Sequence, residues 1–221
     1  MIRQAPTGFI VLGGGGHARV LIDLMREAGL GEPDGILDVD ASLWGRELDG
    51  IPILGGDDLL PQLPERGVSA FVVGLGSTRD TRPRRRLFSL AMEHGLEPLT
   101  LRHPAAVCSA IVDLGRGCQL LAGSIVNAGA SLGTNVIVNS GAIVEHDCVL
   151  GDHVHVATGA SLAGNVVVGS GAHIGIGAVL LQCISIGEEA VIGAGAVVVR
   201  DVPAATVVAG VPAAPLGIAD A

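Results

Sequence analysis

The stretch that decides the fold runs from Leu114 to Val156 and reads LGRGCQLLAGSIVNAGASLGTNVIVNSGAIVEHDCVLGDHVHV. Stepping six residues at a time from Leu114 to Val198, every position is Leu, Val or Ile. A second, mostly small set precedes these positions by two residues, and neither set is interrupted. A strict short period of this kind is typical of a solenoid in which each short strand packs on the next coil.

A longer period shows how the six-residue units combine. Glycine returns every eighteen residues, so three units make one coil: Gly115, Gly133, Gly151, Gly169 and Gly187. We attribute these glycines to corners that need positive φ. The segment predicts a parallel β-helix of triangular section with aliphatic ladders inside. About five coils at ~4.8 Å each would extend roughly 24 Å.

Composition and charge exclude several classes of protein. The chain has 34 Gly, only 2% aromatic residues and a formal net charge of −9, and all 13 basic residues are Arg. An acidic chain is repelled by phosphate backbones, which argues against nucleic-acid binding. The basic run from Arg79 to Arg86 is either a solvated helix face or a local phosphate contact.

Two further observations bear on the cellular compartment in which the protein works. No apolar run reaches the ~20 residues that span a bilayer, and residues 1–9 lack the regions of a signal peptide, so we expect no membrane segment and a cytoplasmic location. The four cysteines, Cys108, Cys118, Cys148 and Cys183, show no close paired spacing. We interpret all four as small core side chains in a reducing compartment.

The N-terminal part begins with a phosphate-binding pattern. Phe9–Leu12 predicts a buried strand, a run of glycines with a histidine follows, and residues 18–28 predict a helix. Glycines at a helix N-terminus let phosphate oxygens approach backbone N–H groups. The candidate substrate-binding residues are therefore Gly14, Gly15, Gly16 and His17. The strict G-x-G-x-x-G form is absent, and tight packing is the alternative reason for such a turn.

Other polar residues follow the next predicted strands. A strand at residues 36–38 ends in Asp38, with Asp40 close by, and acids at this point often bind a ribose or base. A strand at 70–74 leads through Ser77, a further substrate-binding candidate, to a helix at 81–93. The segment is too short for a dinucleotide fold. We expect a Rossmann-like nucleotide-binding domain at residues 1–103 and a β-helix domain at residues 104–221, with Pro104 at the junction.

One repeat carries three consecutive ionisable residues. Glu145, His146 and Asp147 interrupt an otherwise apolar and small-residue pattern. An imidazole beside a carboxylate can act as a general base, because it titrates near neutral pH and the acid fixes its tautomer. A surface histidine at a corner, without a catalytic role, would fit the same sequence pattern.

The repeat, the glycine turn with His17, the Glu-His-Asp-Cys stretch and Ala163-Gly164-Asn165 together resemble the hexapeptide-repeat sugar acetyltransferases of the sialic-acid and bacillosamine type. GDP-perosamine N-acetyltransferase is in this group. The resemblance implies a left-handed β-helix, a homotrimer and acetyl-CoA as co-substrate. It also implies His146 as the base with a neighbouring acid, and a Gly164 N–H that faces the thioester oxygen. Acetyl-CoA contacts are implied at His155, Gly193 and Ala194.

The activity that the resemblance implies is acetyl transfer to the amino group of a nucleotide-linked 4-amino-4,6-dideoxy sugar, GDP-perosamine or a UDP-4-amino sugar, in polysaccharide biosynthesis and without a metal. The resemblance makes residues 1–103 a nucleotide-sugar-binding domain and residues 104–221 an acyltransferase domain. O-acetylation of a sugar is the alternative within the same chemistry. A zinc-dependent hydratase on the same fold is a second alternative, with His153, His155 and His173 as ligands. A non-catalytic scaffold is the third.

Overall fold

The computed structural model describes residues 8–218. They form two compact units, one comprising the residues up to 76 together with 83–99, and the other comprising 77–82 together with those from 100 onward. Leu101–Arg102, which the sequence analysis assigned to the first domain, pairs with Gln119–Leu120 as a strand of the second unit.

The first unit is a six-stranded sheet with two helices. The strand order is β3-β4-β2-β1-β5-β6, with β3 antiparallel to β4 and the other pairings parallel. The strands are β1 (Phe9–Leu12), β2 (Gly35–Leu37), β3 (Glu47–Leu48), β4 (Ile51–Gly55), β5 (Ala70–Val73) and β6 (Glu97–Pro98). The helices are α1 (Gly16–Glu27) and α2 (Arg82–Glu93), and 3-10 turns lie at Ala41–Leu43, Asp57–Gln62 and Pro64–Arg66.

The apolar strands form the core of this unit because both faces of a parallel sheet are covered. All four residues of β1 and all four of β5 are buried. The predicted order of strand, glycine turn and helix is confirmed, with α1 starting at Gly16. Since parallel strands share a direction, the residues after β1, β2 and β4 meet at one edge of the sheet. Among residues 8–218, no helix has the length and apolar character needed to cross a membrane.

The second unit is a parallel β-helix of three sheets, each taking one strand from each complete coil. The first sheet contains β7 (Leu101–Arg102), β10 (Gln119–Leu120), β13 (Ile137–Val138), β16 (His155–Val156), β19 (His173–Ile174), β22 (Val191–Ile192), β24 (Thr206–Ala209) and the antiparallel β25 (Ala214–Ile218). The second contains β8 (Val107–Cys108), β11 (Ile125–Val126), β14 (Ile143–Val144), β17 (Ser161–Leu162), β20 (Val179–Leu180) and β23 (Val197–Val198). The third contains β9 (Asp113–Leu114), β12 (Ser131–Leu132), β15 (Val149–Leu150), β18 (Val167–Val168) and β21 (Ser185–Ile186).

The register of these sheets follows the eighteen-residue period. His155, for example, pairs with Ile137 on one side and His173 on the other. The second residue of almost every two-residue strand points inward and is buried, and the small residues two positions earlier complete the interior. The predicted aliphatic ladders are therefore present, and they supply the hydrophobic stabilisation of the unit.

The reason given for the corner glycines was wrong. Gly115, Gly133, Gly151, Gly169 and Gly187 do not have positive φ. A Cβ at Gly115 would lie 2.3 Å from the carbonyl oxygen of Gly133, and one at Gly187 would lie 2.2 Å from the Ala204 nitrogen. These positions require glycine because the backbone of the next coil passes too close for a side chain.

Positive φ occurs at another point of each corner. From residue 117 to residue 195, the third residue after each inward-pointing aliphatic adopts the left-handed conformation. Most of these residues are glycine, which tolerates that conformation without a Cβ clash. The others include Asp147, His153 and Cys183. The interpretation of all four cysteines as core side chains fails at Cys183, which occupies such a corner and is exposed, whereas Cys118 and Cys148 are fully buried.

Candidate active site

His146 and Asp147 form a hydrogen-bonded pair at a corner of the β-helix. His146 directly follows Glu145 at the end of the strand Ile143–Val144, and Asp147 has φ 59°. The His146 Nδ1 lies 2.8 Å from Asp147 Oδ2, and both side chains are more than half exposed. Because the carboxylate accepts from Nδ1, the neutral ring carries its free lone pair on Nε2. Among residues 8–218, no group forms a hydrogen bond with that Nε2.

Two glycines on the adjacent coils make room for this pair. A Cβ at Gly164, eighteen residues after His146, would lie 2.5 Å from Nε2 and 2.6 Å from Cε1 of the imidazole. A Cβ at Gly129, eighteen residues before Asp147, would lie 2.4 Å from the Asp147 Oδ1. The ring therefore lies directly against the Gly164 backbone. Within residues 8–218, the Gly164 N–H has no hydrogen-bond acceptor.

Glu145 has a different partner. Its Oε2 accepts a hydrogen bond of 2.9 Å from Asn127 Nδ2 on the preceding coil, and a longer one of 3.3 Å from the backbone N–H of His146. The acid that contacts the imidazole ring is thus Asp147, while Glu145 supports the corner backbone. Behind the corner, burial raises the pKa of the Cys148 thiol, with the carboxylates of Glu145 and Asp147 adding to the effect.

The second histidine group is buried. His155 and His173 point away from the interior of the β-helix, as predicted, yet they are 5% and 7% exposed because residues 77–82 of the same unit lie over them. Ser77 Oγ lies 2.7 Å from His155 Nδ1 and 3.4 Å from His173 Nδ1, and the two rings meet edge to face at 5.1 Å. Thr81 adds a hydrogen bond of 3.0 Å to the carbonyl of Gly171.

The hydrogen bonds assign the tautomers of this group. Asn139 Oδ1 accepts from the backbone N–H of Ser140, so its amide nitrogen faces His155 Nε2 at 3.1 Å and donates to it. His155 then carries its proton on Nδ1 and donates to Ser77, whose own hydroxyl proton is directed to His173. Burial lowers the pKa of His173 to about 4, so that ring is neutral near pH 7.

These contacts bear on two predictions. Ser77 was predicted to bind substrate, but its hydroxyl is buried and bonds to His155 and His173. The three histidines considered as zinc ligands have other partners, since His153 pairs with Asn135 at 3.0 Å. Within residues 8–218, no group of three or more His, Cys, Asp or Glu side chains is arranged to hold a metal ion.

Gly193 and Ala194, the other expected cofactor contacts, lie at a different corner of the coil from His146. Gly193 donates its N–H to Val208 at 2.7 Å and is approached by Ala209, whose Cβ would lie 2.7 Å from a Cβ at position 193. Ala194 is exposed. The structure of the single chain thus groups Gly164, but not these two residues, with His146.

In the first unit, the predicted substrate-binding residues gather at the carboxyl edge of the sheet. Asp38 Oδ2 accepts a 2.6 Å hydrogen bond from the Gly14 N–H, and its Oδ1 accepts from the Asp40 N–H. Gly15 and Gly16 are exposed, and a Cβ at either would meet nothing within 4 Å. The open part of the glycine turn is therefore Gly15–Gly16 at the start of α1, where the helix dipole favours an anion.

The remaining predicted residues frame this turn. His17 is partly buried, and its ring lies near Gly76. Asp40 caps the short turn Ala41–Leu43 by accepting from the Ser42 N–H at 2.9 Å. Hydrogen bonding from the Ser42 side chain, and then from its backbone N–H, lowers the pKa of this carboxyl.

Sequence reasoning missed several residues that shape the two groups. Asn127 and Gly129 lie eighteen residues before Glu145 and Asp147, so the coil period could have identified both. The contacts of His155 with Asn139 and with Ser77 could not be found in this way. The residues in each pair are not eighteen positions apart, so the coil period does not bring them together.

The His146 corner can perform one kind of chemistry well. An exposed imidazole with a free Nε2, oriented by a carboxylate, can remove a proton from a nucleophile. The Gly164 N–H beside it can donate to an oxyanion that develops on an acyl carbon. The two groups together suit acyl transfer.

Comparison with known proteins supports this chemistry. The model of the PglD N-terminal domain family matches residues 9–89. The perosamine N-acetyltransferase PerB of Caulobacter crescentus, solved with CoA and GDP-perosamine, is 40% identical with a TM-score of 0.89, over 95% of this chain and 97% of that chain. It has also been solved as histidine-to-asparagine and histidine-to-alanine variants. A search of curated protein sequences gave no match.

Two other solved structures agree over the whole fold. The acetyltransferase domain of PglB from Neisseria gonorrhoeae, in complex with acetyl coenzyme A, is 35% identical with a TM-score of 0.86, over 95% of this chain and 99% of that chain. WeeI from Acinetobacter baumannii is 28% identical with a TM-score of 0.83, over 95% and 99%. The predicted left-handed β-helix behind a Rossmann-like unit is confirmed. Because these similarities cover both units, the chain belongs to the hexapeptide-repeat sugar N-acetyltransferases that carry a PglD-type N-terminal domain.

Proposed function

We propose that the protein transfers the acetyl group of acetyl-CoA to the amino group of a nucleotide-linked 4-amino-4,6-dideoxy sugar. The observation that carries the proposal is the His146 imidazole, bonded to Asp147 at 2.8 Å and lying against the Gly164 backbone. PerB, 40% identical, was solved with GDP-perosamine, which makes a GDP-linked sugar our first choice and a UDP-linked 4-amino sugar the second.

The reaction begins with a neutral sugar amine that attacks the thioester carbonyl carbon. The carbonyl π electrons move to oxygen, and the Gly164 N–H donates to the resulting oxyanion. His146 Nε2 takes the amine proton while Asp147 stabilises the imidazolium. Collapse of the tetrahedral intermediate breaks the carbon–sulfur bond, the CoA sulfur takes the proton from His146, and an amide is left on the sugar. No metal is required.

In this proposal the first unit binds the nucleotide and the β-helix binds acetyl-CoA. The N–H groups of the exposed residues Gly15 and Gly16 bind the diphosphate. Asp38 serves mainly to hold the glycine turn, because its carboxylate accepts from Gly14. Asp40 contacts the ribose or base. We retain Gly193, Ala194 and His155 as contacts of acetyl-CoA on the β-helix surface. For the buried His155 this assignment means indirect action through Asn139, to which its Nε2 is bonded.

Several broader expectations remain part of the proposal. The enzyme acts in polysaccharide biosynthesis in the cytoplasm, in keeping with four cysteines that are all free. It works as a homotrimer, for which exposed aliphatic side chains on the sheets, such as Val149 and Val167, offer an apolar surface. Nucleic acid and membrane are not partners.

The decisive experiment compares two acceptors with acetyl-CoA. GDP-perosamine carries an amine where the GDP-linked 6-deoxymannose carries a hydroxyl, so release of the CoA thiol with each separates N- from O-acetylation. We expect release with the amino sugar only. Release with the hydroxyl sugar alone, or with neither GDP- nor UDP-linked amino sugars, would contradict the proposal.

A further inference from the structure

The chain contains one tryptophan, Trp44, and it is 45% exposed. It follows the turn Ala41–Leu43, which comes after the carboxyl end of β2. Its indole N–H donates a 2.8 Å hydrogen bond to the carbonyl of Asp38. Since the only polar atom of the ring is engaged, the surface that it offers to solvent is mainly aromatic carbon.

The indole is held in place before any ligand arrives. A Cβ at Gly56 would lie 3.1 Å from the indole Cζ2 and 2.9 Å from Asp58 Oδ1, so the ring edge packs against the residue that follows β4. The backbone beside it is also paired, with the Gly45 N–H bonded to the Ile53 carbonyl at 2.9 Å. An aromatic side chain that is already ordered loses little conformational entropy when a flat ligand stacks on it.

The position of this ring matches a nucleotide. Trp44 lies beside Asp38, which also holds the Gly14 N–H of the glycine turn. The edge therefore offers N–H donors for phosphate, the Asp40 carboxylate for a ribose, and one aromatic surface. Val39, 76% exposed and next to Asp38 in the chain, adds an apolar side chain at the same edge. A nucleobase is the flat, apolar-faced part of a nucleotide sugar, whereas the sugar and diphosphate have no stacking face.

We propose that Trp44 is the stacking platform for the nucleobase of the substrate, an inference that rests on the proposed function. Stacking is tolerant of base identity because every base has a π face. Trp44 would therefore set the affinity for the nucleotide as a whole, while polar groups select among bases.

The single tryptophan makes a direct test possible. Intrinsic fluorescence is followed while GDP, UDP or inorganic pyrophosphate is added to the full-length protein, and binding is measured in parallel by calorimetry. We expect both nucleotides to quench the emission, and pyrophosphate to bind without quenching. Trp44→Ala should weaken GDP binding by roughly 5- to 150-fold, as loss of one base–aromatic stack predicts, with acetyl-CoA binding unchanged. Trp44→Phe should recover part of the affinity.

A matched control is Leu30→Ala, which removes an apolar side chain of similar exposure beyond the other end of α1. It should leave GDP binding unaltered. GDP binding in the calorimeter without quenching, and with equal affinity in Trp44→Ala, would overturn the stacking role while leaving the proposed function intact. Absence of any nucleotide binding to the wild type would overturn both.

Discussion

His146 lies at a corner of the β-helix and is exposed, whereas His155 and His173 lie on one of its sheets and are buried. The corner histidine has a carboxylate on Nδ1 and a free Nε2. The sheet histidines have neutral partners, namely Ser77 and the Asn139 amide. The same residue type thus has a free ring nitrogen in one place, as the proposed base requires, and a fixed hydrogen-bond network in the other, because a corner side chain projects past the sheets.

The largest difference between the two histidine sites should appear when the corner histidine is replaced. His146→Asn removes the proton acceptor, so kcat/KM should fall by about 10²–10⁴-fold while the Kd of acetyl-CoA changes little. Steady-state kinetics and calorimetry measure the two quantities. Gln182→Asn, which places the same side chain at the equivalent corner two coils later, should keep full activity. Near-normal turnover by His146→Asn would remove the assigned role.

The buried histidine should show its effect in stability. With the pKa of His173 lowered to about 4 from 6.5, the unfolded chain binds a proton at higher pH than the folded one. The free energy of unfolding should therefore decrease as pH falls from about 6.5 to 4, by about 3 kcal/mol from this group, with no contribution above that window. Urea unfolding of wild type and His173→Asn at pH 7, 5.5 and 4.5 isolates the contribution of His173 to the free energy of unfolding. Equal pH slopes for the two proteins would contradict it.

The contact between the His146 ring and the Gly164 backbone can be disturbed without replacing the histidine itself. Gly164→Ala places a Cβ 2.5 Å from His146 Nε2, so the ring must move, and a displacement of about 1 Å can cost roughly 10²-fold in rate. The corner itself accepts alanine, since Ala128 occupies the equivalent position. Gln182→Ala is the matched control and should be fully active. An active Gly164→Ala enzyme would show that the ring position is not critical.

The smallest effects separate backbone strain from function. Asp147 and Cys183 both have positive φ, at 59° and 60°, so glycine should relieve strain at either position by up to about 1 kcal/mol. Cys183→Gly should raise the unfolding midpoint without changing kcat/KM. Asp147→Gly should lower kcat/KM by about 10–100-fold, because a hydrogen bond to a charged group is lost. If both variants kept wild-type activity, Asp147 would have no orienting role.

The repeat made much of this site predictable. Inward aliphatic positions, the coil length and the proximity of His146 to Gly164 all follow from residue spacing, because parallel coils stack residues eighteen apart. The strand, glycine turn and helix of the first unit were equally readable from local pattern. The same eighteen-residue spacing places Asn127 next to Glu145 and Gly129 next to Asp147, two contacts that sequence reasoning overlooked.

By itself, then, the sequence determined the solenoid, its register and the identity of the candidate base, since each is a periodic or local property of the chain. Only the tertiary structure decided that Ser77 lies against His155, that Asp147 rather than Glu145 contacts the imidazole, and that Trp44 is held at the Asp38 carbonyl. These contacts join segments with no common period or depend on corner dihedral angles. The corner glycines make the same point, because their lack of a side chain is explained by the neighbouring coil and not by their own φ.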